Sequence, residues 1–347
     1  MQATIRAVLA GCGGVSAAWL RPAVEIEGLE IVGLVDLNEE SARQRAAEFG
    51  LQDAEIETHL TRTLERTRPD VVFNCTVPEA HAAVTIEALR QGCHVLGEKP
   101  LADSMANAER MLSAARAAGK TFAVMQNRRF LGSIRMVEGY LRSGELGALT
   151  TVHSDFFLAP HFGGFREQMR HVLLLDMAIH TFDQARMLTG ADPVEVYCKE
   201  WNPSGSWYAH DASAVAVFTF SNGVVYTYRG SWCAEGMQTT WESDWRLIGE
   251  RGSLRWDGGE QMEAEVIARA AGQPPEGNFS ELRKGVIDPY TGSKVGGHSG
   301  LIRDFIACLS EDRVPETICF DNIKSLAMVF AAVESAETGL PVRIHNT

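Results

Sequence analysis

No two of the seven cysteines stand in a C-x-x-C spacing: Cys12, Cys75, Cys93, Cys198, Cys233, Cys308 and Cys319 are scattered along 347 residues. An odd, dispersed set argues against a disulfide framework and against a zinc site, and it fits buried, reduced thiols. Basic charge is also short. Thirty-two Lys and Arg stand against 45 Asp and Glu, a formal net charge of −13 with no basic cluster. A nucleic-acid partner needs a basic patch against the phosphates, so none is expected. No apolar run approaches the roughly 20 residues of a membrane helix. The chain enters a strand-like run at Thr4–Leu9, which leaves no room for a secretory signal segment. A cytoplasmic protein without a membrane partner is the expectation.

What is present is the balance of a folded protein, 45% hydrophobic and 22% charged. The length suits two domains of about 100–200 residues each. The first third alternates short β-branched runs ("TIRAVLAG", "LEIVGLVD", "DVVFNCT", "HVLGEKP", "TFAVMQN") with amphipathic helical ones at 39–49, 79–91 and 103–118. Such alternation predicts parallel βαβ units, an α/β doubly wound sheet over residues 1–125. From 126 to 347 the pattern changes to helices at 134–142, 173–188, 299–309 and 321–337 among long β-rich runs. Ser221–Gly223 ("SNG") reads as a hairpin turn, and the Gly- and Pro-rich stretch Gly272–Gly297 as a long loop. The expectation for this half is an α+β domain with a large, mostly antiparallel sheet.

"VLAGCGGVSAAW" places Gly11, Cys12, Gly13, Gly14 and Val15 directly after the first strand and before a helical run. In a dinucleotide site the first glycine permits the tight turn and the second lets the backbone approach the pyrophosphate. Ser16 occupies the third glycine position. A plain structural βα turn would read the same way if nothing supported the motif. Support comes from Asp36, which ends the second strand 25 residues after Gly11. A carboxylate there can accept hydrogen bonds from ribose hydroxyls and would repel a 2′-phosphate. Leu37 and Asn38 follow with no arginine beside them, which favours NAD over NADP.

The T-x-P stretch running to His81 and the E-K-P tripeptide, both within "FNCTVPEAHAAVTIEALRQGCHVLGEKPLA", the stretch "MQNRRF" and the D-x-x-x-H of Asp176 and His180 bring the motifs to five with the glycine loop. With the glycine loop they occur in the order seen in the glucose-fructose oxidoreductase / inositol dehydrogenase / MocA family, which the sequence resembles over essentially its whole length. That resemblance implies an N-terminal Rossmann domain and a C-terminal α+β domain whose open sheet often mediates oligomerisation, as a homodimer or homotetramer. It implies a catalytic trio of Lys99, Asp176 and His180. It also implies that Thr76, Pro78, His81, Glu98, Lys99 and Asn127 lie along the nicotinamide side of the cofactor. Substrate positions vary widely within the family.

Asp176 and His180 interrupt an otherwise apolar run, "LLLDMAIHTFDQARML". At i and i+4 of an α-helix they would share a face about 5–6 Å apart at Cβ. A neutral imidazole suits the removal of a hydroxyl proton as hydride leaves a secondary alcohol, so His180 is the expected general base. Lys99, at the end of a parallel strand, can stabilise alkoxide character. Asp176 is suited to hold a substrate hydroxyl or Lys99. A ligand gripped by several polar groups should be polyhydroxylated: a sugar, polyol or cyclitol. A helix-face Asp–His hydrogen bond and a solvated lysine are the bland alternatives for these residues taken singly. A metal cluster on Asp176, His180 and Glu98 lacks a third ligand of diagnostic spacing, so no metal is expected.

His161, Arg166 and His171 in "HFGGFREQMRH", and His298 after the glycine turn in "KVGGHSGLIRDF", are candidates for the substrate pocket, with ordinary loop polarity an equal reading. The tryptophans from Trp201 to Trp256 read as sheet packing or an oligomer surface. Two other functions stay open. An enzyme with internally recycled NAD (sugar–sugar oxidoreductase, epimerase or glycosidase) would carry the same residues. A non-catalytic sugar-sensing regulator would be expected to have lost Lys99 or His180.

Overall fold

The computed structural model describes residues 4–270, 272–273 and 277–345. By contacts between Cα atoms these form two compact units. One takes the chain through Phe130 together with Ser293–Leu326, the other Leu131–Gly292 with the chain from Ala327 onward.

The first unit is built on β1 (Ile5–Ala10), α1 (Ser16–Ala23), β2 (Leu29–Val35), α2 (Glu39–Glu48), β3 (Glu55–Glu57) and α3 (Leu60–Thr67). It continues with β4 (Val71–Asn74), α4 (Pro78–Arg90), β5 (His94–Gly97), α5 (Met105–Ala118) and β6 (Phe122–Val124). The strands are parallel and lie in the order β3-β2-β1-β4-β5-β6. Central strands of such a sheet are covered on both faces, which is why β4 is buried along its whole length as a continuous run, "VVFN". The order reverses between β1 and β4, the switch point outside whose carboxyl ends ligands bind. Helix α5 shows how the sequence sets its own limits. Ser104 Oγ accepts from the Asn107 N–H, Gly119 turns left-handed at φ +61°, and Ala108, Met111, Leu112 and Ala115 form the buried stripe.

A single boundary at 125/126 misses the return of the chain to this unit. After a 3-10 turn at Asn127–Phe130, the later segment Ser293–Leu326 comes back. Its helix, His298–Ser310, places Leu301, Ile302, Phe305 and Ile306 in the same buried cluster as Trp19, Leu20 and Phe73. Apolar burial explains the return, since truncating a buried Phe such as Phe305 costs about 3–5 kcal/mol.

The second unit opens with α6 (Gly132–Arg142), β7 (Leu149–Phe157) and the short α7 (Phe165–Gln168). A π-helical segment, Leu173–Ala178, runs directly into α8 (Ile179–Thr189). Then come β8 (Pro193–Trp201), β9 (Ser213–Phe220), β10 (Val225–Ser231), β11 (Asp244–Gly249), β12 (Gly252–Trp256), β13 (Met262–Ile267) and β14 (Leu282–Lys284). The helix already placed at His298–Ser310 is α9, followed by α10 (Cys319–Thr338) and β15 (Val342–Arg343). Nine strands form one sheet in the order β14-β13-β12-β11-β7-β10-β9-β8-β15, antiparallel except for the parallel β7–β10 pair.

Strand alternation sorts the side chains of this sheet. Along β8, Val196, Cys198 and Glu200 point inward while Tyr197, Lys199 and Trp201 face out. Phe182 of α8 packs edge-on against Phe218 and Tyr228, and Tyr226, Trp245 and Trp256 stack in a buried row. The tryptophans thus divide: Trp232, Trp245 and Trp256 are core, while Trp201 and Trp241 are exposed. The "SNG" turn joins β9 to β10 with Gly223 at φ +83°. Residues 274–276 of the expected long loop lie outside the described residues, and Leu282–Lys284 of that stretch forms β14 on β13.

Candidate active site

The glycine loop leaves β1 at the switch point. Gly11 has φ +91°, and a Cβ there would stand 2.6 Å from the Cys75 carbonyl carbon and 2.7 Å from Thr76 N. Glycine is demanded twice over, by the left-handed backbone and by the approach of the neighbouring strand end. Gly13 and Gly14 differ, because a Cβ at either would meet no heavy atom within 4 Å. Their surroundings are open, as a bound phosphate group would require. Ser16 Oγ donates to Gly13 O at 2.6 Å at the start of α1, whose N-terminus has no side-chain cap.

Asp36 Oδ2 accepts the Cys12 N–H at 2.8 Å, and its Oδ1 accepts the Asn38 N–H at 2.8 Å. The end of β2 is thereby tied to the glycine loop. Cys12 itself is inert: burial, aided by the Asp36 charge, pushes its thiol up to about 12. Arg45 of α2 was not singled out in the sequence, yet its Nη2 donates to Gly13 O at 3.0 Å while the guanidinium pairs with Glu48. An arginine therefore does stand near this loop, brought there by the helix rather than by sequence neighbourhood. Val15, Leu37 and Val77, in the turns after three adjacent strands, are exposed apolar side chains at the carboxyl edge.

Around β4 and β5 a buried set of polar groups supports that edge. Asn74 accepts from Thr76 Oγ1 at 2.6 Å and donates to His81 O and Thr85 Oγ1. Pro78 opens α4, where its missing N–H costs nothing. His81 is 1% exposed, with its ring nitrogens against Pro100 O and Thr76 O, and burial lowers its pKa. Its ring holds its own chain together.

Glu98 is buried, with Oε1 accepting from Trp19 Nε1 at 2.8 Å and Oε2 from the Lys99 N–H at 2.9 Å. Burial opposes its ionisation. Contacts with His298 and Trp19 and the charge of Lys99 outweigh that, so its pKa is lowered. His298 Nε2 lies 3.8 Å from Glu98 Oε1, and its Nδ1 lies 3.3 Å from Asn127 Nδ2. The expected pocket residue His298 thus belongs with Glu98 and Asn127 in the first unit. The Lys99–Pro100 peptide is cis.

In the second unit Asp176 sits inside the π-helical segment, and His180, 8% exposed, lies in the first turn of α8. The backbone between them is not the regular α-helix the spacing implied. Arg166 Nε donates to Asp176 Oδ2 at 2.9 Å, and its guanidinium lies over the rings of Phe162 and Phe165. His161 stacks on Trp207 at 3.8 Å and approaches Glu235. His171 turns away from this group to pair with Glu200 and Glu337. Among the described residues no group of three or more His, Cys, Asp or Glu is placed to hold a metal ion.

Comparisons with known proteins accord with this arrangement. The description "Oxidoreductase family, NAD-binding Rossmann fold" (GFO_IDH_MocA) matches residues 5–126, and "GFO/IDH/MocA C-terminal domain" matches residues 134–255. A 1,5-anhydro-D-fructose reductase of Ensifer adhaerens is 25% identical over 97% of this chain and 98% of its own. A D-apiose dehydrogenase of Paraburkholderia graminis is 27% identical over 98% of this chain and 90% of its own. Among solved structures, an oxidoreductase from Agrobacterium radiobacter in complex with NAD+, L-tartaric acid and magnesium superposes with TM-score 0.85. It is 20% identical and covers 98% of both chains. The chain belongs to the Gfo/Idh/MocA oxidoreductase family, with its NAD-binding Rossmann fold and its C-terminal domain.

Proposed function

We propose that the protein is an NAD-dependent dehydrogenase that oxidises a secondary hydroxyl of a sugar, polyol or cyclitol. The observation that carries the cofactor half is the Asp36–Cys12 hydrogen bond beside the open Gly13 and Gly14. It sets a carboxylate at the end of β2, where ribose hydroxyls would be held, and supports NAD over NADP. Relatives named as a 1,5-anhydro-D-fructose reductase and a D-apiose dehydrogenase support a sugar-like substrate.

NAD, when bound, supplies the hydride acceptor. The chain's own residues do the rest. His180 takes the hydroxyl proton in oxidation and returns it in reduction. Lys99 stabilises alkoxide character at the reacting oxygen. Asp176 holds a neighbouring hydroxyl, its own orientation fixed by Arg166. Along the cofactor lie Gly11, Cys12, Gly13, Gly14, Val15, Thr76, Pro78, Glu98 and Asn127, with His81 behind them as support for Thr76 and Pro100. Arg166 and His161 border the substrate.

The exposed Tyr197, Trp201, Val217 and Val225 on one face of β8–β10 support association through the second unit's sheet, as a dimer or tetramer. Seven free cysteines support a reducing, cytoplasmic setting. The test is NADH formation by ultraviolet absorbance across sugars, cyclitols and sugar acids, with NAD and NADP in parallel. A substrate that gives NADH, with His180→Ala slowing turnover by about 10²–10⁴-fold, meets the reading. No turnover and no dinucleotide binding would end it.

A further inference from the structure

We propose that His298 is a positioning residue that fixes the polarity of the Asn127 amide, so that Asn127 Oδ1 offers an acceptor to a donor on the bound ligand. That donor is the carboxamide N–H of a nicotinamide or a hydroxyl of the substrate. The proposal rests on the reading of Asn127 as a cofactor-side residue.

The proton positions follow from what each partner can do. Glu98 accepts hydrogen bonds at both oxygens, from Trp19 Nε1 and the Lys99 N–H. A carboxylate only accepts, so the His298 nitrogen facing it at 3.8 Å, Nε2, is one that bears a proton. The Asn127 group 3.3 Å from Nδ1 is the NH₂, the donor end of the amide, so Nδ1 presents its lone pair to it. With the amide turned over, Oδ1 would face that lone pair, acceptor against acceptor. The carbonyl end of Asn127 is therefore directed away from His298. No described protein group donates to it.

The rest of the unit holds this arrangement in place. Asn127 opens the turn that follows β6, at the carboxyl edge of the sheet. Gly297, at φ +60°, donates its N–H to Phe130 O at 2.8 Å and sets His298 at the start of α9. Leu301, Ile302 and Phe305 anchor that helix in the core behind it. Lys294 pairs with Glu316, whose other oxygen lies 3.8 Å from Arg129 Nη1, two residues from Asn127. A histidine 171 positions away in sequence is thus locked onto an amide at the ligand-binding edge.

The test compares NAD with 3-acetylpyridine adenine dinucleotide, in which an acetyl group without N–H donors replaces the carboxamide. Equilibrium dissociation constants are read by protein fluorescence, with Tm measured alongside. If the carboxamide is the donor, the wild type favours NAD by about five- to tenfold, the worth of one neutral hydrogen bond. His298→Leu brings that ratio to about one, and His298→Gln, whose side-chain oxygen can still accept from the Asn127 amide, keeps most of it. If a substrate hydroxyl is the donor, the cofactor ratio is near one throughout. Substrate KM then rises about five- to tenfold in His298→Leu and not in His298→Gln. Asn127→Ala, which removes the acceptor while leaving every residue of α9 in place, reproduces whichever loss is seen and serves if His298→Leu does not fold. Unchanged ratio and unchanged KM in folded His298→Leu overturn the proposal, as does equal loss in the Leu and Gln variants. A wild type that binds NAD yet gives those results leaves the dehydrogenase reading standing. One that binds no dinucleotide sinks both.

Discussion

The half-buried His171 and the buried Glu200 form a pair in the second unit, Nδ1 of the imidazole against Oε2 of the carboxylate, with Glu337 Oε1 3.2 Å from the other ring nitrogen. His171 lies two residues before the π-helical segment that carries Asp176, and it holds a left-handed backbone at φ +51°. The pair links that segment's approach to β8 and to the end of α10. The hydrogen bond to Glu200 raises the His171 pKa from 6.5, against the opposing effect of burial. Burial raises that of Glu200, and the facing His171 only partly offsets it.

Stability should therefore fall on the alkaline side. A histidine raised above 6.5 contributes in full below that pH, and the contribution is lost as pH rises through its higher folded value. A carboxyl raised by burial has the same sign, since its ionisation on raising the pH works against the fold. Tm should decline as the pH rises above about 6.5 and through the higher folded value of His171. His171→Gln should cost about 1–3 kcal/mol near pH 6 and flatten the decline. A slope unchanged in His171→Gln would place its origin elsewhere.

The two kinds of glycine in the loop should separate on substitution. Gly11→Ala puts a methyl 2.6 Å from the Cys75 backbone in a left-handed conformation, a strain of about 1–3 kcal/mol before any overlap is counted. Gly13→Ala meets only open space, so its stability should change by no more than about 0.5 kcal/mol. Its NAD affinity should nevertheless drop about 10–100-fold as the backbone is kept from the pyrophosphate. Thermal melts and NADH titration read the two effects separately, and unimpaired NADH binding by Gly13→Ala would refute the loop's role.

Asp36→Ala should weaken NAD by about 10–100-fold, because the Cys12 N–H and the ribose both lose an ionised acceptor. NADP should suffer less, since a repulsive charge is also removed and Arg45 stands nearby at Gly13 O. Dissociation constants for both cofactors give the check. A parallel loss for the two would mean that Asp36 only shapes the loop.

Trp19→Phe keeps most of the packing and deletes the hydrogen bond to Glu98. A carboxylate whose folded pKa is lowered stabilises the fold above its ordinary value of 4.5, and the effect fades as pH falls through the folded value. The stability gap between wild type and Trp19→Phe should accordingly be wider at pH 7 than at about pH 3. An equal gap at both would assign the whole loss to packing.

Much of this was legible along the chain. A glycine loop after one strand and an aspartate at the end of the next announced the Rossmann unit, because βα turns at a switch point have few chemical solutions. The inward phase of β8 also held an unread signal: Glu200 falls in register with Val196 and Cys198, a carboxylate at a core position. Spacing misled at Asp176 and His180. An i,i+4 pair was expected on a regular helix, and a π-helical turn lies between its members. Such turns depend on packing around the helix, which periodicity does not encode.

By itself the sequence determined the local elements and their chemistry: strands from β-branched runs, turns from glycines, and the residue types that can bind a dinucleotide or move a proton. Those properties depend on φ, ψ and side-chain chemistry within a few residues. Only the tertiary structure decided which distant groups share a proton or a bond. Trp19 met Glu98 and His298 met Asn127, while His171 was drawn to Glu200 and Arg166 to Asp176. Apolar burial chose those meetings, and apolar burial is non-directional: it returned α9 to the first unit for the sake of Leu301 and Phe305, and His298 came with it.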